Sequence, residues 1–388
     1  MKTVLHAMLA ESVDAARGRE HRAFTALAGR ADGSIVLFGA GGLGRRCLDG
    51  LRRYGVEPLA FADNNPRLWG TEIQGVRVLS PADAISRFGK TTAFVITIWG
   101  ARGADRMADR VLALEALGCQ TVIPFGFLAW RYPDGVLPHY GVDLPHKVLE
   151  QSDEVVKAFD LWADDQSLRE FIAQLRWRLF FDFDGMAAPQ VETIYFPPDL
   201  VQLTPGERFV DCGAFDGDTL REFLTVSKGS FETYTAFEPD PGNFARLSES
   251  VDRLPGAVRT RIELKRAATA RQDGTLRFSS GAGPSSHVGE GDMEVDAVAL
   301  DRYLGNGPVT FIKMDIESAE PEALEGARRH IRDDMPILAV SCYHLQDHLW
   351  SIPLLIHAIN PGYAFYLRPH DLEGWDLVCY AIPRSRLP

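Results

Sequence analysis

Apolar residues change their spacing several times along the chain, and each change marks an element. Val4, Leu5, Met8, Leu9 and Val13 recur at helical intervals and predict an amphipathic helix near the N-terminus. From Ser34 the pattern becomes an unbroken apolar run, Ile35-Val36-Leu37-Phe38. It ends in Gly39-Ala40-Gly41-Gly42-Leu43-Gly44 and a helix-like stretch to Tyr54. That is a strand, a glycine turn and a helix. Further apolar runs at 58–62, 92–98 and 121–125 are separated by enough chain for crossovers, which predicts a parallel sheet. Residues 132–145, with three prolines and two glycines, read as a linker. Helical spacing returns between 147 and 186 and predicts two connecting helices.

A second alternating region begins at 208–213 and recurs at 234–237, 262–267, 309–314, 337–342, 364–367 and 377–382, a total of seven strands. The fold class expected is α/β, with two doubly wound sheets in series. The domains fall at 1–130, a Rossmann-like nucleotide-binding domain, at 131–200, a linker and helical connector, and at 201–388. A length of 388 residues accommodates two cores, and 46% hydrophobic with 24% charged residues excludes a disordered, collagen-like or coiled-coil chain. A formal charge of −12 disfavours nucleic acid and anionic membranes as partners. The five cysteines form no C-x-x-C, so neither a disulfide framework nor a thiolate zinc site is expected, and a reducing cytoplasm fits. The N-terminus lacks the apolar core of a secretion signal, and no apolar stretch reaches the ~20 residues that span a bilayer.

The chemistry concentrates in the second region. Asp211-Cys212-Gly213-Ala214-Phe215-Asp216-Gly217-Asp218 lies between a strand and a helix, where an open α/β sheet binds its ligand. Asp211, Asp216 and Asp218 make a poor cradle for pyrophosphate but suit a ligand with a cationic centre and hydrogen-bond donors. Glu238 ends the next strand about 20 residues later, where an acid accepts ribose hydroxyls. An acidic turn with a ribose-binding acid and no phosphate site describes S-adenosylmethionine better than NAD.

The stretches "ERFVDCGAFDGDT", "FEPDP", "VDAVALDRYL", "FIKMDIESAEPEALEGA" and "PILAVSCYHLQDHLWSIP" resemble, in order, the FkbM family of S-adenosylmethionine-dependent methyltransferases. The resemblance covers about Glu207 to Pro388. It implies a class I methyltransferase sheet of seven strands with the last antiparallel, and methyl transfer to the hydroxyl of a sugar, polysaccharide precursor or related natural product. By motif position, Asp211, Gly213, Phe215, Asp216 and Gly217 would surround the amino-acid part and ribose of the methyl donor. Glu238 would hold the ribose, and Ala267 or Ala268 would line the adenine pocket. One departure stands out: the family reads D-x-E-G-A-E where this chain has Ser318.

An alcohol nucleophile must lose its proton as the new bond forms, so a base is required. His344, after the fifth strand, is the candidate base, and Asp315 the candidate that positions donor or acceptor. Lys313 shares a strand face with Asp315 and would neutralise it. His344, Asp347 and His348 with Asp315, Glu317 and Glu320 offer metal-ligating groups, but no metal is expected. Ser285, Ser286 and His287, in a Gly/Ser-rich segment, are candidate acceptor contacts.

In the first region Gly39, Gly41 and Gly44, with Asp63 at the next strand end, have the context of a dinucleotide site. The run "FADNNPRLWGTEIQGVRVLSP" looks like the nucleotide-binding heads of sugar-modifying enzymes, so a nucleotide, a nucleotide-sugar, NAD or no ligand remain open there. The alternative function is an NAD-dependent oxidoreductase or nucleotide sensor working through this domain. It lacks a hydride-transfer constellation such as Tyr-x-x-x-Lys.

Overall fold

The computed structural model describes residues 1–100, 105–190, 194–279, 287–288 and 293–387, and its backbone clusters into two units. One comprises Met1–Ser152, Ile172–Met186 and Asp371–Trp375. The other comprises Asp153–Phe171, Ala187–His370 and Asp376–Pro388.

The first unit holds strands β1 (Ile35–Phe38), β2 (Ala60–Ala62), β3 (Glu72–Ile73), β4 (Val76–Leu79), β5 (Ala93–Ile96) and β6 (Val122–Pro124). They form one sheet in the order β3-β4-β2-β1-β5-β6, parallel except for β3. Strands β1 and β5 are buried along their whole length, as unbroken apolar runs between two helical layers must be. Strand order reverses between β1 and β5, and the glycine turn sits at that switch point. The expected N-terminal helix is divided in two, Lys2–Met8 and Val13–Ala28. Ser12 causes the break: its hydroxyl accepts from the Ala15 N–H at 3.2 Å and caps the second helix. Likewise the stretch 147–186 contains three helices rather than two, Pro145–Glu150, Ser152–Phe159 and Asp165–Phe180. Asp164 starts the last of them by accepting from the Ser167 N–H at 2.8 Å.

The second unit holds β7 (Arg208–Cys212), β8 (Thr233–Phe237), β9 (Ile262–Lys265), β10 (Ala268–Thr269), β11 (Gly274–Ser279), β12 (His287–Val288) and β13 (Met293–Val298). It continues with β14 (Phe311–Met314), β15 (Ile337–Ser341), β16 (Tyr363–Pro369) and β17 (Leu377–Pro383). Seven of these make the sheet β16-β17-β15-β14-β7-β8-β9, with β17 antiparallel to both neighbours, as the resemblance implied. A separate four-stranded sheet has the order β10-β13-β11-β12. Phe311, Phe209 and Tyr234 stand opposite one another on β14, β7 and β8. Their rings stack at 4.7 and 5.0 Å between centroids, which fixes the register of the three strands that present the site. Among the described residues no helix is long and apolar enough to cross a membrane.

Candidate active site

Where β7 ends, the chain turns at Gly213, whose φ of +83° places it in the left-handed region. A Cβ there would come within 2.0 Å of the Asp315 carbonyl oxygen, so only glycine lets the loops after β7 and β14 lie against each other. The Gly213 and Ala214 N–H groups both donate to the Phe237 carbonyl, at 2.9 and 3.0 Å. Phe215 follows with φ +47°, and its N–H donates to Glu238 Oε2 at 2.9 Å. Glu238 Oε1 accepts from the Asp240 N–H at 2.8 Å. Glu238 is only 5% exposed, and burial pushes its carboxyl up to about 7 against the pull of these backbone donors. Gly217 opens the helix Asp218–Val226, and Asp216 stands on the turn's outer side, paired with Arg221 at 2.8 Å.

Asp211 sits elsewhere than the sequence suggested. It is fully buried beneath the turn, with Lys313 Nζ 3.0 Å from Oδ1 and the Tyr234 hydroxyl donating to Oδ2 at 2.5 Å. The cause is register: Asp211 and Lys313 are directly opposed on β7 and β14, on the face that also carries the aromatic stack. Lys313 Nζ also donates to the Gly213 carbonyl at 2.7 Å, so the buried pair forms the floor of the turn. Burial alone would pull the ammonium down; Asp211, Asp315 and Asp218 together hold it above its usual value. Lys313 therefore neutralises Asp211 first, not Asp315 alone. Ala267 and Ala268 are buried but do not end the third strand of the sheet. The Ala267 N–H bonds the Lys265 carbonyl at 3.0 Å, turning the chain so that Ala268 enters β10.

Beyond β14 and β15 the structure gathers a charged network. His344 is fully buried, with Nδ1 bonded to Glu320 Oε1 at 2.9 Å and Nε2 lying 3.2 Å from Asp315 Oδ1. Burial would strip its proton, but Glu320, Glu317 and Asp315 hold the imidazole well above its usual value. An imidazolium with both nitrogens turned to carboxylates is a poor proton acceptor, which changes the chemistry open to His344. Asp315 Oδ2 accepts from the Tyr195 hydroxyl at 2.8 Å. Burial would raise this carboxyl, yet His344, Lys313 and Tyr195 keep it well below the usual range. Glu317 Oε1 lies 3.9 Å from His344 Nε2, and burial pushes Glu317 up to about 8, with Asp315, Glu320 and Asp376 adding repulsion. Glu317 and Ser318 both have positive φ, +53° and +83°, so the position where the family has glycine adopts a glycine conformation here with serine.

Asp315, Glu320 and His344 lie close enough to invite a metal reading. The same groups are also joined as ion pairs: the two ring nitrogens face different carboxylates, and His348 Nδ1 lies 3.4 Å from Glu320 Oε2. Sequence reasoning passed over Tyr195, which lies in a segment without strand or helix periodicity, and gave Glu317 no role of its own. Ser285 and Ser286 lie outside the described residues, and His287 is placed only as part of β12.

In the first unit, Gly39 has φ +117°, and a Cβ on Gly44 would come 1.9 Å from the Gly39 carbonyl. Asp63 Oδ2 accepts from the Ala40 N–H at 2.7 Å and Oδ1 from the Asn65 N–H at 2.7 Å. Thr97 Oγ1 underlies the turn, donating to the Gly39 carbonyl at 2.8 Å. A Cβ on Gly41 would meet nothing within 4 Å.

Residues 211–360 match the family described as "Methyltransferase FkbM domain". A stretch of 98 residues is 34% identical to the hexuronic acid methyltransferase AglP of Haloferax volcanii, covering 24% of this chain and 39% of that protein. The match thus spans well under half of the curated relative's length. The fold is similar to that of the solved methyltransferase FkbM from Methylobacillus flagellatus KT, with a TM-score of 0.76 at 24% identity over 93% of each chain.

Proposed function

This chain carries an FkbM methyltransferase domain at residues 211–360, and from that premise we propose that it transfers a methyl group from S-adenosylmethionine to a hydroxyl oxygen of a sugar or sugar-containing precursor. The observation that carries the reading is the turn from Gly213 to Gly217 held against Glu238, with carboxylates around it and the Lys313 ammonium buried beneath it and paired with Asp211. A carboxylate has about four lone-pair sites. Glu238 uses one on Phe215 and others on Asp240 and Asn243, and its Oε2 side retains capacity for ribose hydroxyls. Gly213, Phe215, Asp216 and Gly217 line the turn itself, Ala267 and Ala268 form an apolar wall, and Asp211 acts from below through Lys313. Bound there, S-adenosylmethionine supplies an electrophilic methyl on a sulfonium. His344 acts as the imidazolium that fixes Asp315, and Asp315 holds the donor's ammonium or an acceptor hydroxyl. The name of the Haloferax relative supports a sugar as acceptor. The five cysteines, all free and buried, support the cytoplasm as compartment.

A second reading concerns the first unit, where open space over Gly41 and a Trp69 that is 44% exposed beside Asp63 suit a nucleotide or nucleotide-sugar. Calorimetry on the full chain separates the readings. Heat with S-adenosylhomocysteine, lost in Glu238→Ala, supports the methyltransferase site. Heat with UDP-glucose, lost in Gly41→Asp, supports the first-unit site. Heat with NAD alone would reverse the order and favour an oxidoreductase.

A further inference from the structure

We propose that Glu317 is the base that removes the proton from the acceptor hydroxyl, within a frame held by His344, Asp315 and Glu320. The inference deepens the methyltransferase reading above and rests on it.

The two residues the sequence offered for catalysis are both committed. His344 is 1% exposed, and its nitrogens face Glu320 at 2.9 Å and Asp315 at 3.2 Å, so neither is available to collect a proton. Asp315 accepts from Tyr195 on one oxygen and faces His344 on the other. Every such contact stabilises its anion and weakens it as a base. Glu317 differs on each count. It stands 3.9 Å from His344 Nε2, outside hydrogen-bond distance, and its side chain is 18% exposed, which leaves a route for a substrate hydroxyl and for return of the proton to solvent. Two successive positive-φ residues, Glu317 and Ser318, hold this turn in a conformation that non-glycine residues adopt at an energetic penalty, a mark of turns kept for function.

The groups facing Glu317 are His344 and the buried Tyr343 from the loop after β15, Asp315 and Glu320 from the segment after β14, and Asp376 just before β17. Burial and the three carboxylates outweigh the imidazolium, leaving the Glu317 carboxyl near 8. General bases work best when matched to the operating pH, and this is a much stronger base than an ordinary carboxylate. The acceptor O–H proton moves to a Glu317 carboxylate oxygen while the acceptor oxygen forms its bond to the methyl carbon. The carbon–sulfur bond breaks with its electron pair kept by sulfur, giving S-adenosylhomocysteine and a methyl ether. Glu317 then releases its proton to water.

Two measurements on the full chain test this. Infrared difference titration between pH 5 and 10 should show, beyond the Glu238 carboxyl that is lost near 7 in both proteins, a protonated carboxyl band lost with a midpoint near 8 in the wild type and absent from Glu317→Gln. No such band, or one unchanged in the variant, overturns the proposal without any acceptor being needed. On the acceptor identified by transfer from labelled S-adenosylmethionine, Glu317→Gln should lower kcat about 100- to 10,000-fold. Its affinity for S-adenosylhomocysteine should stay within twofold. Wild-type kcat should climb about tenfold per pH unit below 8 and level off above it. A variant within threefold of wild type, or a flat wild-type profile, overturns the assignment. A wild type that binds no S-adenosylhomocysteine defeats the methyltransferase reading instead.

Discussion

The two units solve one backbone problem in the same way. In each, a strand ends in a glycine of positive φ, and an acid at the end of the neighbouring strand accepts an N–H of the turn. Asp63 takes that of Ala40 at 2.7 Å in the first, and Glu238 takes that of Phe215 at 2.9 Å in the second. They part in what lies below and beside the turn. The first is floored by the neutral hydroxyl of Thr97, and β5 continues into Thr97-Ile98-Trp99, with no ionisable group. The second is floored by the ion pair of Lys313 and Asp211, and the segments after β14 and β15 add Asp315, Glu317, Glu320 and His344. The two turns thus share one backbone geometry, while the adjacent strand ends give the second its cluster of ionisable groups.

The sharpest way to break this comparison is to remove each floor. Lys313→Met leaves the Asp211 carboxylate buried without its cation and should destabilise the second unit by about 3–5 kcal/mol. Thr97→Val in the first should forfeit only about 1 kcal/mol. Denaturant titration of both variants measures the gap, and equal losses would mean the floors are equivalent. Next come the glycines. Gly213→Ala forces a left-handed alanine and a backbone clash, and should lower stability by about 3 kcal/mol. Gly41→Ala, whose Cβ meets open space, should fall within about 0.5 kcal/mol of wild type.

Stability should also respond to pH with opposite signs in the two units. Burial lowers His139 of the first unit to about 3, so it stays neutral in the fold. The unfolded chain gains a proton below about 6.5, and stability there declines as the medium is acidified below that value. In the second unit Glu238 and Glu317 keep their protons up to about 7 and about 8. Their unfolded counterparts ionise above about 4.5, so their contribution is complete below that pH and disappears as the pH rises through 8. Native-state hydrogen exchange, corrected for intrinsic rates, should show protection in β7 and β14 falling more than in β1 and β5 between pH 6.5 and 8.5. A small gain is expected at the family departure: Ser318→Gly relieves a left-handed serine and should add about 1 kcal/mol. A thermal melt checks it, and a lower Tm would mean the serine hydroxyl contributes more than the strain.

Much of this molecule was legible in the order of its residues. Apolar-rich runs marked all seven strands of the larger sheet, because strands buried on both faces carry few polar residues; the edge strand β9, Ile-Glu-Leu-Lys, is the one that alternates and is only partly buried. Gly213, Gly217 and Glu238 announced the turn because left-handed backbone favours glycine and an acid at the next strand end can accept the turn's N–H groups or a ligand's hydroxyls. Local capping by Ser12 divided a helix that periodicity alone had joined, since one hydroxyl outweighs a continuing stripe.

Roles were set only by the tertiary structure, through burial and register. Asp211 looked like a ligand contact until β7 and β14 paired it with Lys313 under the turn. His344 looked like a base until folding enclosed it between Glu320 and Asp315, residues 24 and 29 positions away along the chain. Charge state depends on neighbours and on lost water, and both are properties of the packed molecule; a chain written in one dimension lists the ionisable groups but leaves open which of them hold protons.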